Sequence, residues 1–282
     1  MIMKVTIITA CYNRGKTIRR AMESVMAQTY PNIEYIVVDG ASIDESFGNI
    51  KYEEMVMKTW DFQEKHPQFK FKLVSEPDYG MYDAINKGIR MATGDVIALC
   101  HSDDRLYDEH TVEMVVNEFE KHPEADMVYA DGVFVNSENG KAVRVWKSEN
   151  MRRWRLKCGW LPLHTTCYIK KKVYERYGLY DESYKIAADT KFLLDVLYRQ
   201  RIRTAFLPQF VVKMQMGGAS TDMNRQKEMW KEDIRVFREL GFCFPVWMKM
   251  MKMLWKPSQF IRGKLINMCD SIIILKNYGK KK

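Results

Sequence analysis

Several features that would have pointed elsewhere are missing from this sequence. Its six cysteines, Cys11, Cys100, Cys158, Cys167, Cys243 and Cys269, contain no CxxC pair. That spacing argues against a disulfide scaffold and against a zinc site, and it fits a reduced, cytoplasmic setting. No apolar run is long enough to span a bilayer. Met1-Ile2-Met3-Lys4 leads straight into "VTIITA", too short for a signal h-region and without a small-residue cleavage site. No GxGxxG opens the first helical stretch, which excludes a dinucleotide fingerprint. "ACYNRGKT" imitates a phosphate loop but has Ala10 where glycine would let the backbone amides wrap a phosphate. There is no internal repeat, and low complexity is confined to the terminal lysines.

Acidic residues are scarce at one end. From Phe242 onward Lys249, Lys252, Lys256, Arg262, Lys264, Lys276, Lys280, Lys281 and Lys282 face the single acid Asp270, in a chain whose formal charge is +9. Trp247, Met250, Leu254, Trp255, Phe260 and the run "SIIIL" are interleaved with them. Such a segment suits an anionic membrane surface, where each cation contributes about 1 kcal/mol. The same pattern suits a tail packed on its own domain with a solvated basic face, and the residues do not choose between the two.

What is present is a regular alternation. "KVTIITA", "IEYIVVDG", "FKFKLVS" and "DVIALC" read as strands, separated by helical stretches at Thr17 to Gln28, 50 to 65 and Gly80 to Ala92. This order predicts a mostly parallel central sheet covered on both faces, with ligands at the carboxyl ends of the strands. Those ends carry Tyr12 and Asn13, Asp39, Glu76 and Asp78, and Asp103 and Asp104, so acids converge on one rim. Further on, "ADMVYADGVFVNSENGKAVRVW" predicts two strands about an Asn139-Gly140 turn. "HTTCYIKKKVYERYG" and "DTKFLLDVLYRQ" predict helices, "TAFLPQFVVKMQ" a strand, and Thr221 to Leu240 a helix. With 282 residues and 46% hydrophobic content, the chain suffices for one large domain or a domain with an appendage.

The adjacent carboxylates Asp103 and Asp104 need an explanation. Like charges so close raise each other's pKa, and burial adds a desolvation cost. A divalent cation shared with two phosphate oxygens would remove the repulsion. The alternative is a helix N-cap with its neighbour, ahead of "LYDEHTVEMVVNEF". Taken with Asp39 and Asp78, the pair suggests a sugar nucleotide held by base, ribose and a metal-bridged diphosphate.

The motifs "TIITACYNR", "SVMAQTYPNIEYIVVDGASID", "SEPDYGMYDAINKGIRMATGDVI", "HSDD" and "GLYDESYKIAADTKFLL" resemble those of family 2 glycosyltransferases, in order and spacing, over residues 4 to about 200. The resemblance implies an α/β, GT-A-type single domain over 1–215, with a Rossmann-like nucleotide-sugar-binding half at 1–105 and an acceptor half at 106–215. A helical basic region would follow at 216–282. It implies that Thr9, Ala10, Tyr12, Asn13 and Arg14 line the nucleotide pocket, with Asp39 on the uracil or ribose and Asp83, Lys87 and Ser102 nearby. Asp104 would ligate Mn²⁺ or Mg²⁺, and Asp103 would contact the ribose or the metal. Asp189, in "AAD", matches the general base of an inverting displacement, and as an isolated pattern it also reads as a helix cap. Glu76, Asp78, Tyr82, His101 and His164 fall on the acceptor side. His101 stands where the family often has a small polar residue.

The implied partners are a nucleotide-sugar donor, commonly a UDP-sugar, and a glycan or polyprenyl-diphosphate-linked acceptor of bacterial surface polysaccharide synthesis. The anionic inner face of the plasma membrane would be met through the tail, and no nucleic acid is expected. Two other classes use some of these features. A nucleotidyltransferase also pairs acids with a metal, and a non-catalytic nucleotide-sugar or membrane-binding module would need no base at position 189.

Overall fold

The computed structural model describes residues 2–136, 139–216 and 225–279, with side chains described as far as residue 267. Lys280 to Lys282 of the basic tail, and the side chains of Asp270, Lys276 and "SIIIL", lie outside what is described. The elements run β1 (Val5–Cys11), α1 (Gly15–Met26), β2 (Ile33–Asp39), α2 (Ser46–Met57), α3 (Trp60–Lys65), β3 (Lys70–Ser75) and α4 (Met81–Met91). Then come β4 (Val96–Leu99), β5 (Arg105–Leu106), α5 (Thr111–Lys121), β6 (Met127–Val135), β7 (Ala142–Trp146) and α6 (Arg153–Lys157). A 3₁₀ turn (His164–Thr166), β8 (Tyr168–Lys170), α7 (Lys171–Tyr177), α8 (Ala188–Leu194) and β9 (Thr204–Gln215) follow. α9 (Gln226–Glu239), α10 (Pro245–Leu254) and α11 (Lys256–Gly279) end the chain.

Among the described residues nine strands form one sheet, in the order β3-β2-β1-β4-β8-β6-β9-β5, with β7 on β6. β3, β2, β1 and β4 are parallel, as the largely apolar runs of β1, β2 and β4 and the helices between the strands predict, while β3 (KFKLVS) lies at the edge and alternates with lysines. Beyond β4 the sheet is mixed, since β8 is antiparallel to both of its neighbours and β9 is parallel to β6. Every residue of β1, β2 and β4 is buried, so both faces of these strands are covered.

α4 shows how the covering works. Tyr82, Ile85 and Ile89 recur at helical spacing and face the sheet. Gly88 lets the helix close on β1, because a Cβ there would meet Ile8 Cγ2 at 2.5 Å. Residues well beyond position 215 enter the same packing: Val236, Phe237, Leu240 and Met248 belong to one core cluster with Ile8, Ile36 and Leu99.

Three local expectations differ from the structure. The predicted helix over 50 to 65 is two helices, broken at Lys58 and Thr59, where the Thr59 hydroxyl accepts from Phe62 N at 3.4 Å. "HTTCYIKKKVYERYG" forms a turn, a short strand and then a helix, because Tyr168 and Ile169 pair between β4 and β6. Asp103 and Asp104 do not cap the following helix, which begins at Thr111. The predicted helix from Thr221 begins, among the described residues, at Gln226, and 221–224 lie outside them.

Candidate active site

The carboxyl ends of β1 and β4, the start of α4, the 3₁₀ turn and the first turn of α8 surround a cavity of about 370 Å³. Of the residues singled out from sequence, Ala10, Tyr12, Arg14, Asp78, Tyr82 and His101 line it, as do Ser102, Asp103, Asp104, His164 and Asp189. Thr9, Asn13, Asp39, Glu76, Asp83 and Lys87 do not.

Those six are engaged in building the rim. Thr9 is buried inside the sheet, its hydroxyl 2.6 Å from the Cys100 carbonyl. Asn13, at φ 51, spans to the next strand end: its N–H donates to Ser42 Oγ at 2.9 Å, and its Oδ1 accepts from Ile43 N at 3.0 Å. Asp39 accepts from the hydroxyls of Ser42 at 2.5 Å and Ser75 at 2.6 Å and is fully buried. Lys87 lies 3.0 Å from Glu76 and 3.4 Å from Asp83, and Asp83 accepts from Tyr79 N at 3.0 Å. Together these bonds fasten the 76–80 loop to α4.

On one side of the cavity, a turn closed by Asp104 N donating to His101 O at 2.9 Å sets the two acids together. Asp104 is 2% exposed, and its Oδ2 has no hydrogen-bond donor among the described residues. Burial, and then the neighbouring Asp103 charge, push its pKa well above the usual carboxylate range. An orphaned buried carboxylate oxygen beside a second carboxylate is the donor chemistry a hard divalent cation takes. Two acids cannot complete its shell, and no group of three or more His, Cys, Asp or Glu side chains stands ready to hold a metal among the described residues. The pair therefore fits a cation whose remaining ligands are water and phosphate oxygens. Asp78, on the same rim, is also raised by burial.

Across the cavity, Asp189 sits in the first turn of α8 with its Oδ1 accepting from Thr190 N at 2.7 Å and 3.3 Å from Tyr82 OH. Its Oδ2 lies 3.1 Å from His164 Nδ1, and His164 Nε2 lies 2.9 Å from His101 Nε2. Burial works against the Asp189 charge, yet His164, Lys252 and the Thr190 N–H outweigh it and hold the pKa at about 2. Burial and His164 together push His101 down to about 3. The column His101–His164–Asp189 thus presents an ionised carboxylate backed by a neutral outer imidazole.

Pattern reasoning had no signal for three groups that complete this arrangement. Arg225 lines the cavity, adding a cation to Arg14, and sits beyond the motif-bearing stretch. Glu232 on α9 accepts from the N–H groups of Lys185, Ile186 and Ala187 at 2.8, 2.9 and 2.8 Å, fixing the approach to α8. Lys252 on α10 donates to Thr190 Oγ1 at 3.2 Å. The His101–His164 contact joins residues far apart in sequence and could not be read from spacing.

Comparison with known proteins adds the following. The family model "Glycosyl transferase family 2" matches residues 6–178. A "PGL/p-HBAD biosynthesis glycosyltransferase" of Mycobacterium bovis is 24% identical over 228 residues, covering 80% of this chain and 82% of that one. An "Uncharacterized glycosyltransferase Rv1514c" of Mycobacterium tuberculosis is 29% identical over 193 residues, 67% of each chain. Among solved structures, S. aureus TarS 1-349 in complex with UDP-GlcNAc superposes with a TM-score of 0.63 at 17% identity, covering 89% of this chain and 70% of that one. The chain spans 39% of a longer S. aureus TarS structure. The mannosyltransferase PcManGT from Pyrobaculum calidifontis, in complex with GDP-Man and Mn²⁺, has a TM-score of 0.62 at 16% identity, covering 99% and 80%. At these identities the structural likeness speaks for the fold, which is the GT-A-type arrangement expected from the motifs.

Proposed function

This chain belongs to glycosyl transferase family 2 and is a glycosyltransferase, and from that premise we propose that it inverts the anomeric centre as it moves a sugar from a UDP-sugar to an acceptor hydroxyl. The acceptor is a glycan or polyprenyl-diphosphate-linked sugar of bacterial polysaccharide synthesis, and the protein works in the cytoplasm at the inner membrane face. The observation that carries this reading is one cavity with the adjacent acids Asp103 and Asp104 on one side, Asp104 Oδ2 having no donor among the described residues, and the ionised Asp189 on the other. Membership of the family sets aside the nucleotidyltransferase and the non-catalytic module.

Asp189 accepts the proton of the acceptor hydroxyl as that oxygen bonds to the anomeric carbon. The bond to the nucleoside diphosphate breaks on the opposite face, and its electron pair leaves with the phosphate. One displacement inverts the centre, and a positioned base contributes about 10² to 10⁴ in rate. Thr190 N and His164 fix the direction of the carboxylate. Asp103 and Asp104 would hold Mn²⁺ or Mg²⁺, which when bound offsets charge on the departing diphosphate. Arg14 and Arg225 line the same space and favour an anionic leaving group. Uridine and Mn²⁺ are suggested by relatives of the same fold that bind UDP-GlcNAc, or GDP-Man with Mn²⁺.

Among the described residues no helix is long and apolar enough to cross a membrane. The membrane reading rests instead on a surface of exposed Phe244, Trp247, Leu254 and Ile261 on and before α10 and α11, next to their lysines.

The test is a hydrolysis screen of purified protein against nucleotide sugars with Mn²⁺ or Mg²⁺. Release of nucleotide from a UDP-sugar supports the reading, and release from none, with or without metal, removes it.

A further inference from the structure

A second cavity of about 120 Å³ adjoins the first and shares Phe134, His164 and Asp189 with it. Its far wall is built by β7, α10 and α11, outside the residues that the family model matches, except for β7. Three cations line that wall: Arg144, Lys252 and Lys256. Lys252 and the nearby Lys249 both reach Asp233, at 2.8 and 2.5 Å, so one carboxylate already serves two ammonium groups.

Arg144 and Lys256 have no carboxylate within 4.0 Å among the described residues. Arg144 is 6% exposed, and its Nε donates to Gln259 Oε1 at 2.5 Å. Its guanidinium carbon stands 4.7 Å from the centre of the Phe134 ring and 4.9 Å from that of Trp146. The Nη atoms find no hydrogen-bond partner among the described residues. Burial pushes the Arg144 pKa down to about 10, and burial followed by the Arg144 charge lowers Lys256. Taking the Arg144 guanidinium out of water without a counter-ion is costly, and the half-buried Lys256 beside it adds a second positive charge. A guanidinium fork is matched by a planar or tetrahedral oxyanion, and a neutral sugar would leave that cost in place.

We propose that the acceptor carries a negative charge on the sugar unit that bears the attacking hydroxyl, and that Arg144, Lys252 and Lys256 receive that oxyanion beside Asp189. The inference rests on the glycosyl-transfer reading above and names the acceptor class for it. Either a carboxylate on the sugar or a phosphate ester at its anomeric oxygen supplies the oxyanion.

The experiment uses the full chain in two arms. In the first, calorimetry measures binding of inorganic phosphate and of hexose 1-phosphates, with no donor present. Binding that weakens five-fold or more in Arg144→Gln and in Lys256→Gln is expected. In the second, transfer from the donor found by the hydrolysis screen is compared among methyl hexosides, methyl hexuronides and hexose 1-phosphates. At least one charged acceptor should exceed its neutral counterpart ten-fold or more in kcat/KM, chiefly through KM, and Lys256→Gln should bring that ratio towards one. Preference for hexuronides assigns the charge to the sugar, and preference for 1-phosphates assigns it to the anomeric linkage. Equal use of neutral and charged acceptors, or phosphate binding indifferent to both substitutions, overturns the proposal. A chain that hydrolyses no donor yet binds phosphate through these residues contradicts the function above and leaves this site standing.

Discussion

Two buried carboxylates, Glu34 at the amino-terminal edge of the sheet and Asp104 at the carboxyl-terminal edge, are treated in opposite ways. At the amino-terminal edge, Glu34 in β2 is 1% exposed, and both of its oxygens are served. Thr6 Oγ1 and Thr93 N donate to one at 2.7 Å, while Thr93 Oγ1 at 2.8 Å and Lys72 Nζ at 2.8 Å reach the other. Burial alone would raise its pKa, but these donors bring it down to about 2. At the carboxyl-terminal edge, Asp104 is equally buried and has an oxygen without a donor among the described residues, and its pKa is raised. The same residue chemistry thus stabilises the fold at Glu34 and is left incomplete at Asp104, whereas Asp39, at the same edge as Asp104, is served by Ser42 and Ser75. Incompleteness at the edge where α/β sheets bind ligands is the physical mark of a site whose missing partner arrives from solution.

The largest effect that would sharpen the contrast belongs to Asp189. Asp189→Asn should lower transfer by about 10² to 10⁴, while UDP binding by calorimetry stays within a few-fold. Transfer at the wild-type rate would break the assignment of the base. Next comes the closed edge. Glu34→Ala leaves Thr6, Thr93 and Lys72 without their acceptor and should cost about 3 kcal/mol in urea unfolding.

The same residue has a pH signature. Because its folded pKa lies below the ordinary value of 4.5, its contribution is complete above that pH and is lost as pH falls towards about 2. Acid unfolding should therefore be shallower in Glu34→Gln than in the parent between those values, and identical slopes would show that the pairs do not persist in solution. Smaller still is Glu232→Gln. It weakens three N–H bonds to residues 185–187 and should lower stability by about 2 kcal/mol, with kcat falling more than the KM of the donor changes. An effect on donor KM alone would mean that the brace serves the wrong half of the cavity.

The parallel half of the fold was legible because β1, β2 and β4 are largely apolar runs separated by helical stretches and α4 keeps Tyr82, Ile85 and Ile89 on one face. The acid pair was legible because adjacent carboxylates after a buried strand demand a counter-charge. β8 was not, since three residues become a strand only through partners on β4 and β6, which local pattern does not contain. Nor could sequence tell rim-builders from cavity walls. Asp39, Asn13, Asp83 and Lys87 stand at strand ends or on the helix that predicts contact, yet their side chains are spent on Ser42, Ser75, Ile43, Tyr79 and Glu76. Of the groups that steady Asp189 from behind, Glu232 comes from a helix that periodicity predicted without a role, and Lys252 from the segment after Phe242 that composition marked only as basic and aromatic.

Calorimetric titration of UDP into the protein, with Mn²⁺ and again with EDTA, compares parent and Asp104→Asn most directly. The account predicts that Mn²⁺ tightens UDP binding at least ten-fold in the parent and has no such effect in the variant. Equal UDP affinity with and without Mn²⁺ in the parent would contradict it.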